Sequence, residues 1–567
     1  MTRITVLAFA LALLAPVAGA GPATCSGGSA NGHACERIDF VARLDTATLG
    51  YGDLNDVWGW TDPLDGREYA LVGAVAGTVF VDITDAANPR IVGRLPAHEN
   101  IGPAPVVGCK ATVSAPPAGP RPAHDGCGGN SSWRNIKVYA DHAYVGSESA
   151  GHGLQVFDLT QLRAFPPGSP VQAFDETTHY GAFGHSHTIW IDQASGFLYA
   201  VGSDTFAGGP HFVDLSNPAN PVAAGGYAAD GYSHEIICQV YSGPDLAYTG
   251  RQICIGSNED TLTILDVTNK STPVLLARVG YAGSGYTHQG SLTTDQRYMF
   301  VNDELDELDT GERTRTLVWD LGDLNAPVLV QQIHQPRFVI DHNLYLHQGY
   351  MFQSNYTAGL VVYDARDPLA AFEVGYFDTH PADDIAQFDG TWSNYPFFAS
   401  GVVAVSDITR GLYLLRPQLG GAAEDAKVVV TAGGTTGTQF VITAPSETYA
   451  SFSVGAGAQI ADLTLVPANT AITGCEASAR VWRCGFAASA APFSVEIDVT
   501  SDGGATPLAV VMVAGSGDET APIDNRVSSF ISPTVVVTPT SGGGGAVAPW
   551  LVLLLALGAA ATRRRSA

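Results

Sequence analysis

A short phrase recurs along this chain: an apolar, often β-branched strand ending in Asp, a turn, a Pro seven residues after that Asp, and a second apolar strand. Val79-Phe80-Val81-Asp82 leads to Pro89, Phe212-Val213-Asp214 to Pro221, Ile264-Leu265-Asp266 to Pro273, and Leu317-Val318-Trp319-Asp320 to Pro327. Val156-Phe157-Asp158 and Val362-Tyr363-Asp364 are weaker copies, and in a last one, Leu412-Tyr413-Leu414-Leu415, Arg416 replaces the Asp. An Asp at a strand end bonds the backbone two residues on and opens a turn. Pro, which donates nothing to a β ladder, is tolerated where an edge strand begins. Each phrase therefore predicts an inner strand, a turn and an outermost strand.

Around the first copy, Asp56 to Thr61, Glu68 to Gly73, Thr78 to Ile83 and Arg90 to Leu95 read as four strands. Units of this size, repeated every roughly 45 to 75 residues, predict a radial β array, and are too short for independent sandwiches of about 100 residues. The fold class expected is all-β: a seven-bladed β-propeller over 36–418. Blades two to six are expected near 131–178, 185–230, 233–281, 286–335 and 340–380. The last blade supplies three strands, Ser393 to Phe398, Val402 to Ser406 and Leu412 to Leu415, and the segment Glu36 to Leu44 is expected to complete it, closing the ring. Between blades one and two, the Gly- and Pro-rich stretch 100–130 is too long for a plain turn.

Beyond Pro417 the phrase stops. Seven short β runs within 427–531 suggest an immunoglobulin-like sandwich acting as a spacer, and 532–545 reads as a Gly/Ser/Thr/Pro stalk. The first 20 residues have a basic start, an apolar run and a small-residue site at Ala18-Gly19-Ala20, the pattern of a signal peptide cleaved after Ala20. At the other end, 546–567 holds an apolar stretch followed by Arg563-Arg564-Arg565, the pattern of a short membrane helix with its basic end inside. An exported chain fits eight cysteines in four local pairs: Cys25–Cys35, Cys109–Cys127, Cys238–Cys254 and Cys475–Cys484. No CxxC spacing favours zinc. The formal charge of -27 argues against nucleic acid or anionic lipid as a partner and is compatible with calcium.

The phrases Phe80-Val81-Asp82-Ile83 and Ile264-Leu265-Asp266-Val267 resemble LVIVD repeats. The stretch from about 36 to 418 is similar to the bacterial choice-of-anchor B family, whose members share this body and carry different C-terminal anchors. The tail from Ser541 onward resembles a GlyGly C-terminal sorting signal, which implies processing within Gly542 to Gly545 by a rhombosortase-type protease. The resemblance brings no activity with it.

Histidines stand at the start of the first strand in four consecutive units: Ser186-His187-Thr188, Ser233-His234-Glu235, Thr287-His288-Gln289 and Asp341-His342-Asn343. First strands line a propeller axis, so His187, His234, His288 and His342 are expected to share one end of the channel. Glu148, Asp204, Glu259, Asp260, Asp303 and Glu304 follow second strands and are expected on the same face. Imidazole with carboxylate suits a transition metal, whereas carboxylates alone, such as Asp303, Asp306 and Asp309, suit calcium; imidazoles that only bond backbone and water are the alternative. Trp58, Trp60, Trp133, Tyr232, Tyr286 and Trp392 are candidates for a binding rim or for packing between blades. Gly184-His185-Ser186-His187-Thr188 imitates a nucleophile elbow but lacks its last Gly and its strand-to-helix setting. The functional expectation is an exported binding protein displaying its histidine-bearing face to an extracellular ligand or partner. The alternative is a metal-dependent hydrolase or lyase using the same histidines.

Overall fold

A computed structural model describes residues 21–98 and 131–419, together with the backbone of separate strands between 427 and 535. Residues 21–98 and 131–419 form seven antiparallel sheets arranged as the blades of a β-propeller. Blade one runs Leu54–Thr61, Glu68–Ala74, Gly77–Asp82 and Arg90–Pro96 from the axis outward. Blades three, four and five repeat this order with first strands Thr188–Asp192, Glu235–Val240 and Thr287–Leu292. Each blade pairs its two faces with neighbours through a separate apolar cluster. Val72 and Val79 meet Ala404 and Leu414 between blades one and seven, Tyr199 and Phe212 meet Ile236 between three and four, and Phe352 and Val362 meet Val405 and Tyr413 between six and seven. A strand sandwiched this way is apolar on both sides, which is why Glu68–Ala74 is buried along its whole length.

The Asp of the phrase does what its chemistry predicts. Asp82, Asp158, Asp214, Asp266, Asp320 and Asp364 each accept, through Oδ1, the backbone N–H two residues on, at 2.7–3.1 Å. The strands beyond the Pro residues are outermost in blades three, four and five, and in blade one Arg90–Pro96 is the fourth strand with Gln172–Ala173 added outside it. A feature the phrase hides is a register shift between its last two strands, between Phe80 and Val81, Phe212 and Val213, Ile264 and Leu265, Val318 and Trp319, and Val362 and Tyr363. Recurring bulges of this kind bend and twist each outer edge.

Blade seven consists of Thr391–Tyr395, Val403–Asp407 and Gly411–Pro417, with Ile38–Leu44 paired antiparallel to the last of these as the fourth strand. Two outer edges are covered. A hairpin of Ser29–Ala30 and His33–Glu36 pairs with the fourth strand of blade six; its turn is Asn31-Gly32, both at positive φ, the sequence that such a two-residue turn favours. In blade two the edge differs from the simple reading. After Asp158 a short helical turn, Leu159–Ala164, carries the chain away, Gln172–Ala173 adds in parallel to blade one, and Thr178–Tyr180 returns as the fourth strand.

Disulfides join Cys25 to Cys35 and Cys238 to Cys254. The second links directly opposed residues of the first two strands of blade four. Cys475 and Cys484 are likewise backbone partners, and Cys484 is disulfide-bonded. Cys109 and Cys127, the first 20 residues and 546–567 lie outside the described residues. Between 427 and 535 the strands pair into two sheets. Among the described residues no helix is long and apolar enough to cross a membrane. Replacing Cys238 and Cys254 by Ala is expected to cost about 2–4 kcal/mol, the usual effect of releasing a loop of this size, read as a lower denaturant midpoint with a slope that rises as the unfolded chain expands.

Candidate functional site

The four histidines meet. His187 and His234 immediately precede first strands, His288 lies in one, and His342 stands two residues ahead of Leu344–His347, so neighbouring blades bring their rings together at one end of the axis. Ring centroids are 4.0 Å apart for His187 and His234, 4.6 Å for His234 and His288, and 4.5 Å for His288 and His342. All four side chains are buried.

Their outer nitrogens are held. His187 Nδ1 donates to Glu148 Oε1 at 2.5 Å, and His342 Nδ1 donates to the Trp392 carbonyl at 2.5 Å. His234 Nδ1 lies 3.0 Å from the Tyr286 hydroxyl, which itself donates to Glu259 Oε1 at 2.9 Å; the hydroxyl therefore accepts from the imidazole. A carboxylate and a carbonyl only accept, so in the neutral rings the proton sits on Nδ1 and the lone pair on Nε2. His187 Nε2 and His234 Nε2 lie 3.2 Å apart, hydrogen-bond distance when one of the two rings carries a proton there. Burial, with His288 alongside, pushes His342 down to about 3, so its ring is neutral through the physiological range.

Glu304 lies between two of the rings, with Oε2 3.8 Å from His288 Nε2 and Oε1 3.6 Å from His342 Nε2, and is fixed by the Tyr356 hydroxyl at 2.9 Å. Among the described residues, His234, His288 and Glu304 are the group whose ligand atoms all fall within 4.8 Å of one another. The donor set, imidazole with one carboxylate, is that of a first-row transition ion.

The other carboxylates divide. Glu148 and Glu259 support the rings from behind, as just described. Asp204 is exposed and accepts from the Gly184 N–H at 2.8 Å; Asp260 is exposed and paired with Arg278 at 3.1 Å. Asp303 turns into the protein, taking the Tyr281 hydroxyl at 2.6 Å and the N–H groups of Gly285 and Tyr286, and so shapes the loop that presents Tyr286 and His288. Asp309 is exposed, while Asp306 and Glu307 are buried. Burial and the carboxylates around it push Asp341 well above the usual range, Glu307 foremost among them, and burial with the Asp306 charge pushes Glu307 up to about 10.

Aromatic residues collar the site: Tyr232 and Tyr286 beside His234, and Tyr356 and Trp392 beside His342. Trp60 instead packs between blades against Tyr69, and Trp58 lies under the Lys137 ammonium, 4.2 Å away. Ser186 is fully buried and its hydroxyl has no hydrogen-bond partner among the described residues, which leaves it no base.

The LVIVD repeat family model matches residues 244–280, the span that holds Ile264-Leu265-Asp266-Val267. No curated protein matches. Among solved structures, the chain is similar to Kuenenia stuttgartiensis hydrazine synthase at 11% identity and a TM-score of 0.41, covering 62% of this chain and 93% of that one. It is also similar to a functionally unknown protein from Desulfotomaculum acetoxidans at 15% identity and a TM-score of 0.37, covering 62% and 94%.

Sequence reading alone did not single out Tyr356, the Trp392 carbonyl, Glu307 or Asp341. Tyr356 comes from the loop between two strands of blade six, whose course no strand pattern predicts, and the Trp392 carbonyl belongs to the first strand of blade seven, where sequence marks the side chain and not the backbone. The run Asp303-Glu304-Leu305-Asp306-Glu307 did carry a signal, five residues with four carboxylates beside a predicted strand end.

Proposed function

We propose that this protein is an exported β-propeller binding protein whose histidine-bearing channel end holds a divalent transition metal ion through His234, His288 and Glu304, with His187 and His342 flanking it. The observation that carries this reading is the convergence of His234, His288 and Glu304, whose ligand atoms all lie within 4.8 Å of one another, with His234 held through Nδ1 by Tyr286. Such outer partners orient metal-binding imidazoles and raise their basicity.

Export is part of the proposal. It is supported by the leader-like first 20 residues, by disulfides typical of oxidising compartments, and by the GlyGly-like tail. In this reading 427–531 is a sandwich spacer, 532–545 a stalk, and 546–567 a temporary anchor removed by a rhombosortase-type protease, as in choice-of-anchor B proteins.

The test is elemental analysis of the chain purified without chelator, followed by chelation and addition of Co2+. One equivalent of transition metal is expected, with visible Co2+ absorption on reloading. Substoichiometric metal after purification together with no Co2+ spectrum would end the proposal.

A further inference from the structure

We propose that the loops around the histidine-bearing end form a docking surface for a basic, apolar-faced segment of a second protein, with Leu308, Phe338 and Ile385 as its apolar contacts. The proposal rests on the reading of this end as a binding face and makes no use of the ion.

The short helix Asp306–Asp309 joins the second and third strands of blade five, and on it Leu308 is 41% exposed while its neighbour Glu307 is buried. Phe338 is 43% exposed on the loop from blade five to blade six, and Ile385 is 56% exposed on the loop from blade six to blade seven. Apolar side chains exposed singly are ordinary, whereas several on adjoining loops mark an interaction site. These loops adjoin. The Arg313 guanidinium donates to the Pro336 carbonyl and the Val339 N–H to the Thr314 hydroxyl at 3.1 Å, which ties the loop of Leu308 to that of Phe338. The Thr357 hydroxyl donates to the Ile385 carbonyl at 2.9 Å. Beside it, Tyr356 packs against Phe388 and donates at 2.9 Å to Glu304, the first residue of the loop that carries Leu308. The three loops therefore meet at the wall of the histidine site.

Charge selects the occupant. Exposed carboxylates accompany the apolar residues: Asp309 and Glu312 follow Leu308, and Asp383 and Asp384 precede Ile385. Among the described residues Asp309, Glu312 and Asp384 have no ion-pair partner, and Asp383 has only His380, at 3.7 Å. Of the arginines on these loops, Arg337 is paired with Glu373 and Arg313 is turned to a carbonyl. Leu64, at the opposite end, lies instead among carboxylates that already hold arginines, Asp62 with Arg163 and Asp65 with Arg67. An apolar surface with uncompensated negative charge fits lysines and arginines around an apolar anchor. A second copy of this chain, with a formal charge of -27, or an anionic lipid surface would bring like charge to it.

The experiment selects random peptides displayed on phage against the immobilised full chain, both as purified and after chelation. The enriched sequences are expected to combine Lys or Arg with Leu, Ile or Phe, and as synthetic peptides to bind both forms of the protein equally. Leu308→Ser with Phe338→Ser and Ile385→Ser should weaken that binding by about tenfold or more, and Asp383→Asn with Asp384→Asn should weaken it and flatten its dependence on salt. Leu64→Ser with Leu246→Ser, both exposed at the other end, should leave it unchanged. All these side chains are exposed, so each variant is expected to melt as the parent does. No enrichment, an acidic or uncharged consensus, or unchanged binding by the triple serine variant would overturn the proposal. So would self-association of the parent that the triple variant abolishes, which gives the surface to a second copy, or peptide binding lost on chelation, which places the contact on the ion. Because peptide binding is read in the chelated protein and metal content by elemental analysis, failure of either reading shows separately.

Discussion

A chain that begins at Asp45 is expected to lose most of its stability and to aggregate on concentration, whereas one that begins at Glu36 stays soluble and cooperative. The difference between them is the strand Ile38–Leu44, which pairs along its length with Gly411–Pro417. Ile38 and Phe40 are buried in the cluster between blades six and seven, and Ala42 in the one between blades seven and one. Burying an isoleucine or phenylalanine contributes about 1.5–3 kcal/mol each, so these two alone account for on the order of 3–6 kcal/mol, against a typical total of about 5–15. Deletion also bares the Gly411–Pro417 edge, and an unpaired edge is a template for another chain. The shorter truncation removes the Cys25–Cys35 hairpin on blade six and the Ala23 bridge to Phe40 and leaves the ring closed by Ile38–Leu44. Thermal unfolding with light scattering distinguishes them; equal melting temperatures would mean that the ring does not depend on this strand.

The difference between these truncations shows how much of the fold was legible in the primary structure. Asp and Pro seven residues apart declared the turn before the outer strand in blades one, three, four and five, because each acts through local backbone chemistry. The bulges at Phe80/Val81 and its equivalents were not legible, since any residue tolerates them and they answer to packing between blades. Blade two's detour past Gln172–Ala173 was hidden for a related reason: a two-residue parallel pairing leaves no periodicity.

At the site, His187, His234, His288 and His342 could be brought together from sequence because first strands place the same position of each blade at the axis. Carboxylates after second strands are subject to a further choice. Glu304 and Asp303 are adjacent, yet successive residues of an extended chain point to opposite sides; Glu304 reaches two imidazoles and Asp303 the backbone of Gly285 and Tyr286. The first strand carries a register shift between Thr287 and Gly290 against this segment, a feature invisible until the strands are paired.

The second large effect is expected from the metal ligands, and its pattern separates residues that bind from residues that orient. His288→Ala removes a donor from the group of three and should lower transition-metal affinity by at least about a hundredfold, leaving the metal-free protein folded because the blades are held by β packing. Tyr286→Phe leaves every proposed ligand in place but takes away the hydroxyl between His234 Nδ1 and Glu259. The ring then loses the acceptor that fixes its tautomer, and the expected loss is about 10–100-fold, the usual range for such outer partners. Glu148→Gln should act less on affinity than on His187 alone, since a glutamine oxygen still accepts from Nδ1 while the charge is gone. Competition with a chelator of known affinity, read by Co2+ absorption, gives all three values on one scale. Should Tyr286→Phe and His288→Ala both bind as the parent does, His234, His288 and Glu304 are not a metal site, His187 and His234 share a proton across their 3.2 Å contact, and the aromatic collar around them lines the channel end of a propeller that binds its partner without an ion.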